Sequence, residues 1–163
     1  MNELRLDVGK LFKIVEKTAL NPSMTKMVID APFIARKALP GQFIILRVDE
    51  HGERIPLTIA DYDREKGTVT IIYQKVGKTT MLLDTLQQGE AILDFVGPLG
   101  KPSELEGYKK AAVIGGGAGW AIAYPQAKAL FHMGTHVDVI AGFRNKELII
   151  LKDEMEKVSQ HLT

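Results

Sequence analysis

The chain has 163 residues, enough for one large domain or two small ones, with 45% apolar and 25% charged residues and a formal net charge of +1. That balance excludes nucleic acid as the main partner, because no basic excess exists to neutralise a phosphate backbone. No apolar run reaches the length of a bilayer span, so no membrane partner is expected. The opening MNELRLDVGK lacks a signal-peptide layout and there are no cysteines, so the cytoplasm is the expected compartment.

Residues 11–96 read as short strands separated by turn signals. The runs are LFKIVEKTAL, MTKMVIDAP, QFIILRVDE, IPLTIADYD, TVTIIYQKV and AILDFVG, with breaks at NPS, PG, HGE, REKG and GPLG. Six strands at this spacing predict a closed or nearly closed antiparallel barrel. In RIPLTIADYD, period two sends Ile55, Leu57 and Ile59 to one face and Arg54, Pro56, Thr58 and Ala60 to the other. The first set suits a core. The second offers a cation, a position without an N–H, a hydroxyl and a small side chain, which suits a receiving surface. Pro56 further implies an edge or an opening, since proline cannot donate to a ladder.

One helix interrupts the strands, GKTTMLLDTLQQG, with Leu82, Leu83 and Leu86 as its apolar face and Gly89 as its stop. The segment GPLGKPSELEGYKK reads as a linker. Beyond it the period changes: KAAVI is an apolar strand, GGGAG a glycine turn, and WAIAYPQAKALFHMG a helix ended by Gly134. HVDVIAGF is a further strand. NKELIILKDEMEKVSQHLT reads as a second helix, with Leu148, Leu151, Met155, Val158 and Leu162 on one stripe. This is the opening of a parallel α/β domain. The expected division is a barrel domain over 1–100, a linker over 101–110 and a partial nucleotide-binding α/β domain over 111–163. Two parallel strands and two helices make a poor independent unit, so the sequence reads as the front part of a longer protein.

Two turns suit phosphate. VGKTT leaves a strand and enters a helix, where unsatisfied N–H groups carry partial positive charge; Gly77 permits close approach, and Thr79 and Thr80 add hydroxyls. Its plainer reading is a Thr-capped helix with nothing bound. GGGAG has the strand before it and the helix after it that a dinucleotide turn requires, but it lacks the full G-x-G-x-x-G pattern. Asp138 lies about 20 residues beyond the glycines, yet inside the next strand. Arg144, just past that strand, is the better candidate for an adenosine ribose or its phosphate. His51, His132, His136 and His161 show no metal-ligand spacing, so no metal site is assigned.

Taken together, PGQF (40–43), RIPLTIADYD (54–63), VGKTT (76–80), GPLGKP (97–102) and AYPQAKAL (123–130) resemble the ferredoxin–NADP reductase superfamily. Within it, the likeness is greatest to the small FAD-carrying subunit of NADH-dependent ferredoxin:NADP oxidoreductase. The resemblance implies a six-stranded antiparallel FAD-binding barrel followed by the first part of a parallel-sheet nucleotide-binding domain. It implies FAD, NAD(P)(H) and hydride transfer between them, with electrons passed to a larger flavin or iron–sulfur subunit. Thr58 would sit at the reacting edge of the flavin, with Pro56 and Leu57 bordering the ring and Arg54 toward the pyrophosphate. Ile72 and Tyr73 would run beside the ribityl and adenosine part, Gly77, Lys78, Thr79 and Thr80 would hold the pyrophosphate, and Gly116, Gly117, Gly119 and Arg144 would meet the nicotinamide nucleotide. The sequence departs from the pattern in three places. Arg54 lies four residues before Thr58 instead of three, Trp120-Ala121-Ile122 follows the glycines where Ala-Pro is usual, and the cysteines of the family's [2Fe–2S] cluster are absent. An electron-transfer subunit of dihydroorotate dehydrogenase type and a non-catalytic assembly module are the alternative readings.

Overall fold

The computed structural model describes residues 12–163. The first eleven residues, including Leu11 of the first expected strand, lie outside them. The first sheet contains β1 (Phe12–Asn21), β2 (Met24–Asp30), β3 (Phe43–Arg47), β4 (Ile55–Asp63), β5 (Thr68–Gln74), β6 (Ala91–Ile92) and β7 (Asp94–Leu99). Its order is β6-β1-β2-β5-β4-β3-β7, antiparallel throughout. The expected sixth strand is thus broken at Leu93 into two pieces that occupy opposite ends of the sheet. Because Leu93 joins those ends covalently, the sheet curls into a nearly closed barrel that brings its two end strands together. The first three residues of GPLG belong to β7, and 100–109 lack regular structure.

Alternation builds the barrel core. Ile14, Met27, Ile29, Ile44, Leu46, Ile59 and Ile71 are all essentially inaccessible. Each such side chain contributes roughly 1.5–3 kcal/mol on burial. A short helix α1 (Pro32–Lys37), absent from the sequence reading, covers one opening with Ile34 and Ala35 and has Pro at its first position, where no N–H is needed. A second helix α2 (Lys78–Thr85) covers another. Leu83 is fully buried while Leu82 and Leu86 pack beside it, as the apolar face predicts, although the helix stops four residues before Gly89.

The second sheet is parallel, with order β10-β9-β8: β8 (Lys110–Gly116), β9 (His136–Gly142) and β10 (His161–Leu162). Between β8 and β9 runs α3 (Gly119–His132). The long C-terminal helix expected over 145–163 does not form. A 3-10 turn at Lys146–Leu148 is followed by Leu151 in the left-handed region (φ 50°), a five-residue helix α4 (Lys152–Glu156) and then β10. The apolar stripe is real, since Leu151, Met155 and Val158 are all buried, but the chain buries them by turning instead of by continuing a helix. β10 is held by Gln160 N–H to Val137 O and Thr163 N–H to Val139 O, both 2.9 Å, and by Ala141 N–H to Thr163 O at 2.7 Å.

The barrel and the parallel sheet share a core. Met24 and Ala60 from the barrel are buried among Trp120, Tyr124, Ala127 and Leu130 of α3, with Ile72 packed alongside. Lys128 on α3 adds an ion pair to Asp61 on β4 at 2.8 Å. Tyr124 lies beside this pair, its ring centroid 5.8 Å from Lys128 Nζ and its hydroxyl pushed up to about 12 by burial and by the nearby carboxylates Asp61 and Glu154.

Asp84 on α2 ties its helix to the barrel. It accepts from Thr25 Oγ1 at 2.7 Å and from the Tyr73 hydroxyl at 3.0 Å, with the Lys75 ammonium at 3.5 Å. Partial burial opposes its ionisation, but these hydrogen bonds and the Lys17 and Lys75 charges outweigh that and hold its carboxyl below the ordinary aspartate range. A carboxyl depressed in the folded state stabilises the fold above its unfolded pKa, and the contribution disappears as pH falls through the folded value. Asp84→Ala is expected to cost about 2–3 kcal/mol near neutral pH. In urea unfolding measured from pH 7 downward, the gap between wild type and variant should narrow as the acid limb is reached.

Candidate functional site

β4 changes partner midway. Ile55–Leu57 and Thr58 pair with Leu46–Ile44 and Phe43 of β3, whereas pairing with β5 starts only at Ile59 opposite Ile71. The first half of the strand therefore has one edge without a strand neighbour, and Pro56 falls within it, as a residue without an N–H should. Pro56 is exposed and Thr58 half-buried, while Leu57 packs against the barrel core. Because β4 and β5 are antiparallel, this half-open stretch lies at the end of the barrel where β5 runs out toward Gly77.

At that end, Gly77 precedes α2, with open space where a side chain would stand. The first helical bond is Met81 N–H to Gly77 O at 2.9 Å, so the N–H groups of Lys78, Thr79 and Thr80 come before it and point outward. The Thr80 hydroxyl accepts from the N–H of both Val76 and Gly77 at 3.1 Å and donates to Gly77 O at 3.0 Å. It orders the turn instead of offering itself to a ligand. Thr79 and Lys78 have no such engagement among the described residues.

The parallel sheet supplies the second half. Open α/β sheets bind ligands beyond the carboxyl ends of their strands, and here β8 and β9 end in Gly116 and Gly142. A Cβ on Gly116 would stand 2.1 Å from Gly142 O, so this glycine serves strand approach. Gly117 adopts φ +53°, and neither it nor Gly119 has any atom within 4 Å of a would-be Cβ. Trp120 does not intrude: it is 1% exposed and meets Phe143 edge-on at 5.8 Å. A cavity of about 340 Å³ opens at these strand ends, lined among others by Gly117, Ala118, Arg144 and, across from them, Asn21 and Gln74 of the barrel.

The structure thus brings Pro56, Thr58, Gly77, Lys78 and Thr79 to one end of the barrel, and Gly117, Gly119 and Arg144 to the strand ends facing it. Other expected residues do different work. The Ile72 side chain packs toward α3, and Tyr73 is buried with its hydroxyl on Asp84, its proton held more tightly than usual by burial and by that carboxylate. Leu57, Thr80 and Gly116 are likewise structural through their side chains or lack of one. Arg54 is half-exposed and paired with Asp94 at 2.9 Å, an oxygen it shares with Arg47. Asn21 escaped the sequence reading except as a turn signal. Its carboxamide oxygen accepts from the Ser23 and Met24 N–H groups at 2.9 Å, and its Nδ2 donates to Leu148 O at 3.2 Å, joining the barrel to the segment after β9.

Asp138 is remote from this cavity. Its Oδ1 lies 3.1 Å from His136 Nε2 and 2.8 Å from His161 Nδ1, and the hydrogen bond from His161 holds its carboxyl below the usual range. The histidines that show no ligand spacing in the sequence therefore converge in space, because His161 lies on a strand and not on a helix.

A barrel whose half-open strand faces the carboxyl ends of a parallel sheet is the ferredoxin–NADP reductase-like fold, and this chain has it. It is similar to a solved NADH-dependent reduced ferredoxin–NADP oxidoreductase, a structure concerned with flavin-based electron bifurcation. The two share 41% identity and a TM-score of 0.90 over 94% of this chain and 56% of that one. A dihydroorotate dehydrogenase B (NAD(+)) electron transfer subunit homolog of Thermotoga maritima is 42% identical, and a protein from the adh 3′ region of Clostridium beijerinckii is 50% identical. Each alignment takes in 93% of this chain and 54% of the relative, so the chain spans about half the length of these relatives. No family model matches.

The glycines separate packing from binding in a measurable way. Gly116→Ala should destabilise the protein by about 2–3 kcal/mol, because backbone cannot yield as a side chain does. Gly119→Ala, at a helix start with room around it, should stay within about 0.5 kcal/mol of wild type in thermal or urea unfolding.

Proposed function

We propose that this chain is the electron-transfer part of a flavoprotein oxidoreductase, exchanging a hydride between NAD(P)(H) and FAD and passing electrons to a partner subunit. The observation that carries it is the shared cavity: Gln74, at the end of β5 just before the Gly77 turn, lines the same space as Gly117 and Arg144. The strand end that leads into the Gly77 turn and the glycine turn of the sheet thereby border one space. The similarity to a ferredoxin–NADP oxidoreductase and to an electron transfer subunit supports the same reading.

In this reading residues 1–100 form the flavin domain, 101–110 a linker and 111–163 the nucleotide domain. FAD suits the barrel on two counts: β4 has no strand neighbour on one side at Pro56 and Thr58, and the N–H groups of Lys78 and Thr79, which precede the first helical bond, can take a diphosphate. When bound, FAD supplies the two-electron chemistry that no side chain here can perform. Thr58 presents its hydroxyl to the polar edge of the ring, and Pro56 presents an apolar surface without a competing donor. Gly77 lets the diphosphate come close to the backbone, with Thr79 and Lys78 adding a hydroxyl and a cation. Gly117 and Gly119 leave the strand end uncovered for the nicotinamide nucleotide, and Arg144 carries the charge suited to its ribose phosphate side. With no cysteine in the chain, an iron–sulfur cluster on the electron route has its thiolate ligands elsewhere.

The dihydroorotate dehydrogenase type remains the second reading, favoured by the Thermotoga maritima relative, and differs in the partner that receives the electrons. The purified protein should bind added FAD with a yellow flavin spectrum that bleaches on adding NADH or NADPH under anaerobic conditions. Thr58→Val should retain flavin and slow bleaching by about tenfold, the value of one hydrogen bond of ~1.4 kcal/mol. A colourless protein that ignores FAD overturns the proposal. Flavin bound without bleaching by either nucleotide reduces the chain to an assembly module.

A further inference from the structure

We propose that His136, Asp138 and His161 form a binding site for a divalent transition-metal cation, Zn²⁺ first among them, at the end of the parallel sheet opposite the nucleotide cavity. Sheet geometry assembles the three. His136 and Asp138 are two apart on β9 and so point to the same face, and His161 on β10 stands directly opposite Asp138 in the parallel register. One ligand atom from each lies within 4.8 Å of the others, and none is taken by another partner among the described residues.

The chemistry of the set is that of a metal site. Two imidazoles and one carboxylate, with coordination positions left open, suit Zn²⁺ and its neighbours in the first transition row. Ligand atoms at about 2.0–2.1 Å around a tetrahedral Zn²⁺ stand about 3.3 Å apart. The two separations from Asp138 Oδ1, 2.8 and 3.1 Å, are a few tenths shorter and all three ligand atoms lie within 4.8 Å of one another, so inserting a cation asks for rotation of side chains that are a third to three-quarters exposed. The two rings lie 5.7 Å apart between centroids, tilted by 50°. Solvent exposure limits the affinity: partial hydration of the ligands places the site in the micromolar range and not among buried structural zinc sites.

The test is a titration of the purified protein with Zn²⁺ and, separately, with Co²⁺, whose visible d–d bands strengthen and shift when its hexaaquo shell is replaced by a site of lower coordination number. One equivalent should bind with a micromolar Kd, and chelator should reverse it. His161→Asn and Asp138→Asn should each weaken binding at least tenfold, whereas His132→Asn, a histidine outside the cluster, should leave it unchanged. The substituted side chains are on the surface, and metal-free thermal unfolding checks that each variant is folded. Absence of binding below millimolar metal, or equal affinity in wild type and the two cluster variants, overturns the proposal. Flavin binding and bleaching are read separately, so this result and that of the proposed redox role stand or fall apart.

Discussion

The half-paired state of β4 is the constraint on which the rest of the molecule depends. A strand in a closed barrel is ordinarily bonded on both sides, and Ile55–Thr58 are not. What holds the strand in place is its second half, where Ile59 is buried in the barrel and the residues beyond it pair with β5. Proline at 56 turns a loss into a fit: an N–H directed at the gap would need a partner, and this residue has none to satisfy. The gap is thereby permanent, and it lies beside the turn at Gly77.

The other side of the same strand fixes the second sheet. Ala60 is small enough for α3 to seat its buried Trp120 and Tyr124 face against the barrel, and Asp61 holds Lys128. This ion pair is about a third exposed on each side, so its worth is modest, and shape complementarity carries the contact. Since α3 starts at the glycine turn, anchoring the helix on β4 also places the turn. One strand therefore sets both halves of the cleft, which is why a flexible hinge between them is not needed to bring Gln74 and Gly117 to one cavity.

Much of this was legible in the sequence where the pattern has a single physical cause. Alternation locates the strands because one face of each is buried; in RIPLTIA the core side is right, with Ile55, Leu57 and Ile59 in the barrel core, while on the other face Ala60 is buried against α3 and Arg54 is paired with Asp94. Tertiary context decided the rest. Tyr73 and Ile72 sit on opposite faces of a strand that is covered on both, by Asp84 and by α3, and no local signal distinguishes a covered face from one open to a ligand. α1 is only six residues long, too short to show a period. The stripe Leu148, Leu151, Met155, Val158, Leu162 imitates a helix because a turn, a left-handed residue and a short helix bury Leu151, Met155 and Val158 and half-bury the other two. A helix-like pattern over that segment conceals β10, and with it the meeting of His161 with Asp138.

The two ends of the parallel sheet then take on different roles. β8 and β9 run for seven residues, so the cluster at His136 and the cavity at Gly116 and Gly142 are separated by about 20 Å. A cation at that distance, with solvent around it, exerts little field on a nucleotide at the other end. Its effect is local: β10 contributes only two residues to the ladder, and a metal shared between His161 and the two β9 ligands would cross-link this edge strand to its neighbour. Such a link stabilises by mass action, growing with free metal as RT ln(1 + [M]/Kd). At a tenfold excess over Kd that is about 1.4 kcal/mol, comparable to the net worth of one more backbone hydrogen bond on a strand that has few.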